Sequence, residues 1–154
     1  MNGSKLALIA GGVLVAIQLV PLQRTNPPVE AALKAPDDVQ AVFDRSCIDC
    51  HSHATKWPWY AYVAPVSWLV VHDTNEGRRH MNFSKWGTYS EKRRRKKARQ
   101  VWDEVEEGDM PIASYLLMHP GAKLSGVDRA TLRAWSEATG GPPEAGDEEH
   151  DHEH

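Results

Sequence analysis

The clearest pattern along the chain is at its start. Lys5 is followed by an uncharged run, Leu6 to Leu22, interrupted by a single strongly polar residue, Gln18. At about 17 residues this run sits at the lower limit for a helix that crosses a bilayer. A cation followed by an apolar stretch also describes an export signal, and Val29-Glu30-Ala31-Ala32 is a weak cleavage candidate behind it. The reading adopted is an uncleaved signal-anchor, a transmembrane helix within residues 1–23. Lys5 and Arg24 flank the segment on opposite sides, so charge does not orient it. Residues 24–36, which contain Pro27 and Pro28, read as an extended linker.

From Pro36 onward the apolar positions recur with helical spacing. Pro36-Asp37-Asp38 opens a helix with acids at the positive end of its dipole. Val39, Val42 and Phe43 give that helix one apolar face. A second helix is predicted from Val66 to His80, with Pro65 near its start, with Trp68, Leu69 and His72 on a common face, and with Gly77 weakening its last turn. Met81 to Gly87 reads as a turn. A third helix is predicted from about Ser90 to Glu107, stopped by Gly108, with Val101, Trp102 and Val105 facing inward. A last helix starts at Ser125, where Asp128 three residues on makes a capping-box variant. Val127, Thr131, Leu132 and Trp135 form its inner stripe, and Gly140-Gly141-Pro142-Pro143 ends it. The predicted fold class is all-α, a small helical domain over residues 37–140.

Composition sharpens this picture modestly. The 154 residues suit one small domain with appendages, and six Trp are many for that length. The net charge of −3 is unevenly spread. Residues 141–154 are acidic and His-rich, ending Glu148-Glu149-His150-Asp151-His152-Glu153-His154, and read as a disordered solubilising tail or a weak divalent-metal binder. The remainder is too weakly basic to indicate a nucleic-acid partner. One basic run, Lys92 to Arg99, reads as a solvated helix face, or as a docking site for an acidic redox partner or anionic lipid.

The chemistry is concentrated in Cys47-Ile48-Asp49-Cys50-His51, which holds both cysteines of the chain. Two thiols at this spacing can add to the two vinyl groups of haem, and the adjacent His51 is placed to bind iron. A thioredoxin-like redox pair needs a βαβ context, yet no strand pattern precedes Cys47. A zinc site needs further ligands; His53 is available but no second Cys pair exists. The cofactor expected is therefore one covalently attached haem c. Trp57, Trp59, Tyr60 and Tyr62 follow closely and would pack either on the haem face or in an ordinary core. For the sixth iron position the candidate is Met110, in Gly108-Asp109-Met110-Pro111, whose thioether favours ferrous iron. Met118 and His119 are rivals, His72 and His80 weaker ones, and an open position remains. The order of helix, CxxCH, intervening helices, Met-Pro loop and final helix looks like the class I cytochrome c arrangement around one haem.

The strings CIDCHSHATKWPWYAYVAPVSWLV, HMNFSKWG, GDMPIASYLLMHPGAKLS and LRAW span roughly residues 26–135. They resemble a family of small bacterial haem-binding domain proteins named for a CxxCH motif. The resemblance implies haem held at Cys47, Cys50 and His51, behind an N-terminal membrane segment. The function expected is one-electron transfer at the outer face of the bacterial cytoplasmic membrane, with the haem domain in the periplasm or extracytoplasmic space and with redox proteins as partners. The alternative is a haem-based peroxidase or gas sensor with an open or displaceable sixth position, for which Arg78, Arg79 and His80 would have to supply a distal acid–base pair. A scaffold or haem-delivery module is a third class.

Overall fold

The computed structural model describes residues 2–142, and among these every regular element is a helix. The acidic His-rich stretch from 143 onward lies outside the described residues. Seven α-helices are α1 (Gly3–Gln18), α2 (Asp37–Ser46), α3 (Ile48–His51), α4 (Val66–His80), α5 (Glu91–Glu107), α6 (Ala113–Met118) and α7 (Gly126–Gly140). Short 3-10 helices occupy Trp59–Tyr62, Phe83–Thr88 and Pro120–Ala122. The segment read as a turn after Met81 is thus mostly helical, begun by Asn82, whose side chain accepts from the N–H of Ser84.

The N-terminal apolar run forms a helix of 16 residues with none buried. It ends before the run does, because Pro21 cannot continue a helix and disfavours helical geometry in the residue before it. No helix among the described residues is long and apolar enough to cross a membrane. A transmembrane helix, expected from the length of the run, is therefore not found.

The core is aromatic. Phe43 on α2 lies 4.7 Å from Phe83 and meets Trp135 of α7 edge-on at 5.1 Å. Trp86 fills the space beside both Phe83 and Trp135. Val39, Val42, Val101, Val105 and Leu132 complete this cluster. Burying large rings at these separations supplies most of the apolar stabilisation that a domain of this size has.

The most extensive helix contact among the described residues is α5 against α7, where small residues let the backbones approach. Ser136 donates to the carbonyl of Ala98 at 2.7 Å. A Cβ on Gly140 would lie 3.2 Å from the carbonyl oxygen of Arg95. The capping box at Ser125 and Asp128 forms as expected. Val127, however, is 77 % exposed. The buried stripe of α7 is Leu132, Trp135, Ser136 and Gly140; Leu132 and Trp135 are inside as expected, and Ser136 and Gly140 join them because a close helix contact needs small residues.

The same reason corrects α4. Its buried face is Ser67, Val71, Thr74 and Gly77, while Trp68, Leu69 and His72 point outward. A Cβ on Gly77 would stand 2.7 Å from the carbonyl oxygen of Cys50. Gly77 is thus the point at which α4 lies directly on the CxxCH turn.

Residues 24–36 form no helix or strand but are pinned to the domain. The N–H groups of Glu30 and Ala31 donate to Ser84 O, and that of Leu33 to Phe83 O at 2.8 Å. Arg78 donates to the carbonyls of Thr25 and Ser52 and to Asn26 Oδ1 and Thr55 Oγ1. One guanidinium thereby joins this segment, α4 and the stretch after CxxCH.

Candidate haem site

Helix α2 ends at Ser46, and Cys47 breaks its geometry with φ −128°. The chain then makes one further helical turn, α3, which carries Asp49, Cys50 and His51. This turn is fixed by Thr55 Oγ1 donating to the carbonyl of Asp49 and by Lys56 N–H donating to Asp49 Oδ1. Both cysteines are free thiols. Burial pushes Cys47 up to about 12 and Cys50 to about 11, with neighbouring acidic groups adding to the effect. Thiol–disulfide catalysis needs the opposite, a thiol whose pKa is lowered, so a thioredoxin-like role does not fit.

His51 is fixed by a hydrogen bond. Its Nδ1 lies 3.2 Å from the carbonyl oxygen of Met81. A carbonyl only accepts, so Nδ1 carries the proton and Nε2 keeps its lone pair. Burial lowers the pKa of the imidazole, against the opposing pull of the Met81 and Gly77 backbones. A neutral ring with Nδ1 bonded to a main-chain carbonyl is the state in which histidine serves as a metal ligand through Nε2.

Beside this turn lies a cavity of about 920 Å³, within the size range of cofactor sites. Cys47, Cys50 and His51 form one side; Met110, Pro111 and Tyr115 lie on the wall as well. Phe83, Val101, Val105 and Leu124 give an apolar lining, while Lys96 and Lys97, the carboxylates Asp73, Glu76 and Glu104, and His80 supply charge or polarity. Ser46 also lines it, and its buried hydroxyl has no partner among the described residues. A flat apolar macrocycle carrying carboxylates at one edge suits a wall that is mostly apolar with cations at one part. The residues present therefore fit a haem.

Met110 is delivered by the end of α5. Gly108 adopts φ 88°, a left-handed conformation that only glycine takes readily. The chain folds back, and the N–H groups of Asp109 and Met110 both return to the carbonyl of Glu104. Tyr115 on α6 then donates to Asp49 Oδ2 at 2.8 Å, so the Met-Pro loop and the CxxCH turn are bolted together.

The other candidate ligands separate. His80 reaches the cavity wall; Met118, His119 and His72 do not. Met118 is half exposed. His119 is stacked on Tyr115 at 4.1 Å and bonds its carbonyl. His53 is buried with both nitrogens used, Nδ1 by Pro28 O and Nε2 by Asn82 Nδ2, each at 2.9 Å. It is no zinc ligand, and no metal-holding His/Cys/Asp/Glu group occurs among the described residues. The Arg78–Arg79–His80 distal pair does not assemble, since Arg78 makes the four hydrogen bonds above and exposed Arg79 pairs with Glu76. Trp57, Trp59, Tyr60 and Tyr62 do not line the cavity.

Sequence reasoning missed Met81, Lys97 and Tyr115. Lys97 is buried, contrary to a fully solvated basic face. A signal existed: Lys97, Val101 and Val105 recur at intervals of four, on one side of α5. Nothing local marked Met81 or Tyr115, whose partners are distant in sequence.

An all-helical domain with a CxxCH turn on the wall of a cofactor-sized, largely apolar cavity is a haem-binding protein. The chain belongs to the haem-binding domain family, whose model matches residues 12–138. Neither a curated protein nor a solved structure matched it.

Proposed function

We propose that this chain is a c-type haem protein that carries single electrons at the outer face of a bacterial cytoplasmic membrane, attached there through its N-terminal apolar segment. Cys47 and Cys50 would hold one haem as thioethers, each S–H adding across a vinyl group, and His51 through Nε2 and Met110 through its sulfur would be the iron's protein donors. When bound, the haem supplies one-electron chemistry, tuned by its axial donors.

The observation that carries the reading is the tautomer of His51, set by Met81, on a cavity whose wall also presents the Met110 thioether. With two protein donors the iron would have no position for substrate, and the chemistry supplied would be outer-sphere electron transfer. Lys96 and Lys97 would offset carboxylate charge at the cavity wall. The packing of α2 on α7 through Phe43 and Trp135 is consistent with a class I cytochrome c-like arrangement.

The test is the ferric optical and magnetic circular dichroism spectrum of protein matured with haem. The expected spectrum is low-spin with a sulfur-to-iron charge-transfer band, absent in Met110→Ala and kept in His80→Ala. Loss of the low-spin spectrum in His80→Ala would move the ligand to His80. A high-spin wild-type spectrum with ready binding of carbon monoxide or peroxide would overturn the carrier reading.

A further inference from the structure

Between Lys56 and Asp73 the chain holds no Asp, Glu, Lys or Arg. The apolar members of this stretch that escape the core are large. Trp59 is 72 % exposed and Leu69 50 %, and Tyr62, Val63, Val66 and Trp68 are exposed as well. They lie on the 3-10 helix Trp59–Tyr62 and the first turns of α4.

This face is joined directly to the charge-free N-terminal segment. Gln18, at the end of α1, grips Ala64 twice, accepting from its N–H at 3.0 Å and donating to its carbonyl at 3.2 Å. Arg24 donates to the carbonyl of Ala61 and lies 4.5 Å from the centre of the Tyr62 ring. Leu19 and Val20, between them in the chain, are exposed too. Two apolar surfaces meet at one junction, with aromatic rings and a single arginine beside it.

We propose that the Trp59–Leu69 face is a lipid-docking surface that seats the haem domain on the bilayer at the end of α1. The proposal rests on the reading of the N-terminal segment as a membrane anchor, and it adds how the domain sits. A helix of 16 residues rises about 24 Å, short of a hydrocarbon core of about 30 Å. Leu19, Val20 and the docking face carry apolar surface beyond the helix end. Trp and Tyr are the residues that favour the level of the headgroups, and Arg24 is placed to meet lipid phosphate. The face carries no charged side chain to form the polar rim of a protein interface, whereas its Trp N–H and Tyr O–H groups suit the headgroup level. The seat fixes the height of the haem: α4 enters the cavity wall at Asp73, about 10 Å along the helix from Val66.

The experiment uses the full haem-loaded chain with vesicles of mixed neutral and anionic phospholipid, with or without bromine on the acyl chains. Flotation reads the anchor, and quenching of tryptophan emission by bromine reads the face. The expected result is flotation with quenching, and a bromine-dependent loss reduced by about half in the Trp59→Phe, Trp68→Phe double variant. Flotation with equal quenching of wild type and double variant would overturn the docking face and leave the anchor standing. Failure to float would overturn both. Chains that float but cross-link through residues 59–69 with unquenched tryptophans would give the face to a second copy, and would equally overturn the proposal.

Discussion

The phenol of Tyr115 donates to Oδ2 of Asp49 at 2.8 Å, a bond between the residue inside the CxxCH motif and the helix that follows the Met-Pro loop. Burial, and then the carboxylate itself, raise the pKa of Tyr115, so the phenol stays protonated and donating at neutral pH. The other oxygen of Asp49 is taken by Lys56 N–H. The two sides of the cavity are thereby held at a fixed separation.

Tyr115→Phe removes that bond and leaves the ring in place. A hydrogen bond to a charged group contributes about 1.5–3 kcal/mol, and a loss in that range is expected in chemical denaturation. Because Met110 sits on the loop so released, ferrous protein should bind carbon monoxide faster than wild type. Unchanged carbon monoxide binding in stopped-flow mixing would show that the bond does not hold the loop.

Gly77→Ala places a Cβ at 2.7 Å from the carbonyl of Cys50, a backbone atom that cannot rotate away. Forced separation of α4 from the CxxCH turn should destabilise by about 1–3 kcal/mol, despite the better helix propensity of alanine. The thermal midpoint should fall and the yield of haem-loaded protein with it. A midpoint at or above wild type would mean that the crossing is looser than this geometry.

Arg78→Ala deletes four donor contacts that tie Thr25 and Asn26 to the segment after CxxCH. A stability loss of about 2–4 kcal/mol is expected, with residues 24–36 becoming open to protease. Limited proteolysis followed by mass spectrometry reads this directly; an unchanged cleavage map would contradict the role of Arg78 as a clamp.

The carboxylate of Asp128 accepts from the N–H and the hydroxyl of Ser125 and pairs with Arg45 at 2.9 Å. These contacts, the Arg45 hydrogen bond first, hold its carboxyl down from 3.8 to about 2. A group with a depressed folded pKa binds fewer protons folded than unfolded. Its contribution is complete above about pH 4 and is lost as pH falls toward 2. Solvent screening limits it to about 1 kcal/mol or less. Asp128→Asn should lower stability at pH 6 and flatten the acid limb between pH 4 and 2 in denaturation at each pH.

The sequence by itself determined the four longer helices of the domain and the haem-binding family. Periodic apolar positions, the Ser125–Asp128 cap and the Gly108 stop are local signals, read by the backbone within a turn or two. The spacing of Cys47, Cys50 and His51 is equally local, and the family match rests on such strings. The tertiary structure decided which face of each helix is inside, and what surrounds the motif. On α4 the large apolar residues Trp68 and Leu69 face outward, and on α7 Val127 does so while Leu132 and Trp135 are buried. Small residues such as Gly77 and Gly140 occupy the crossings, because backbone approach depends on the partner helix, which no local window contains. The tautomer of His51 is set by Met81, 30 positions away, and the Asp49–Tyr115 bond spans 66. Bonds that close only when distant segments meet leave no trace in local pattern, so the cavity that joins them had to be seen in three dimensions.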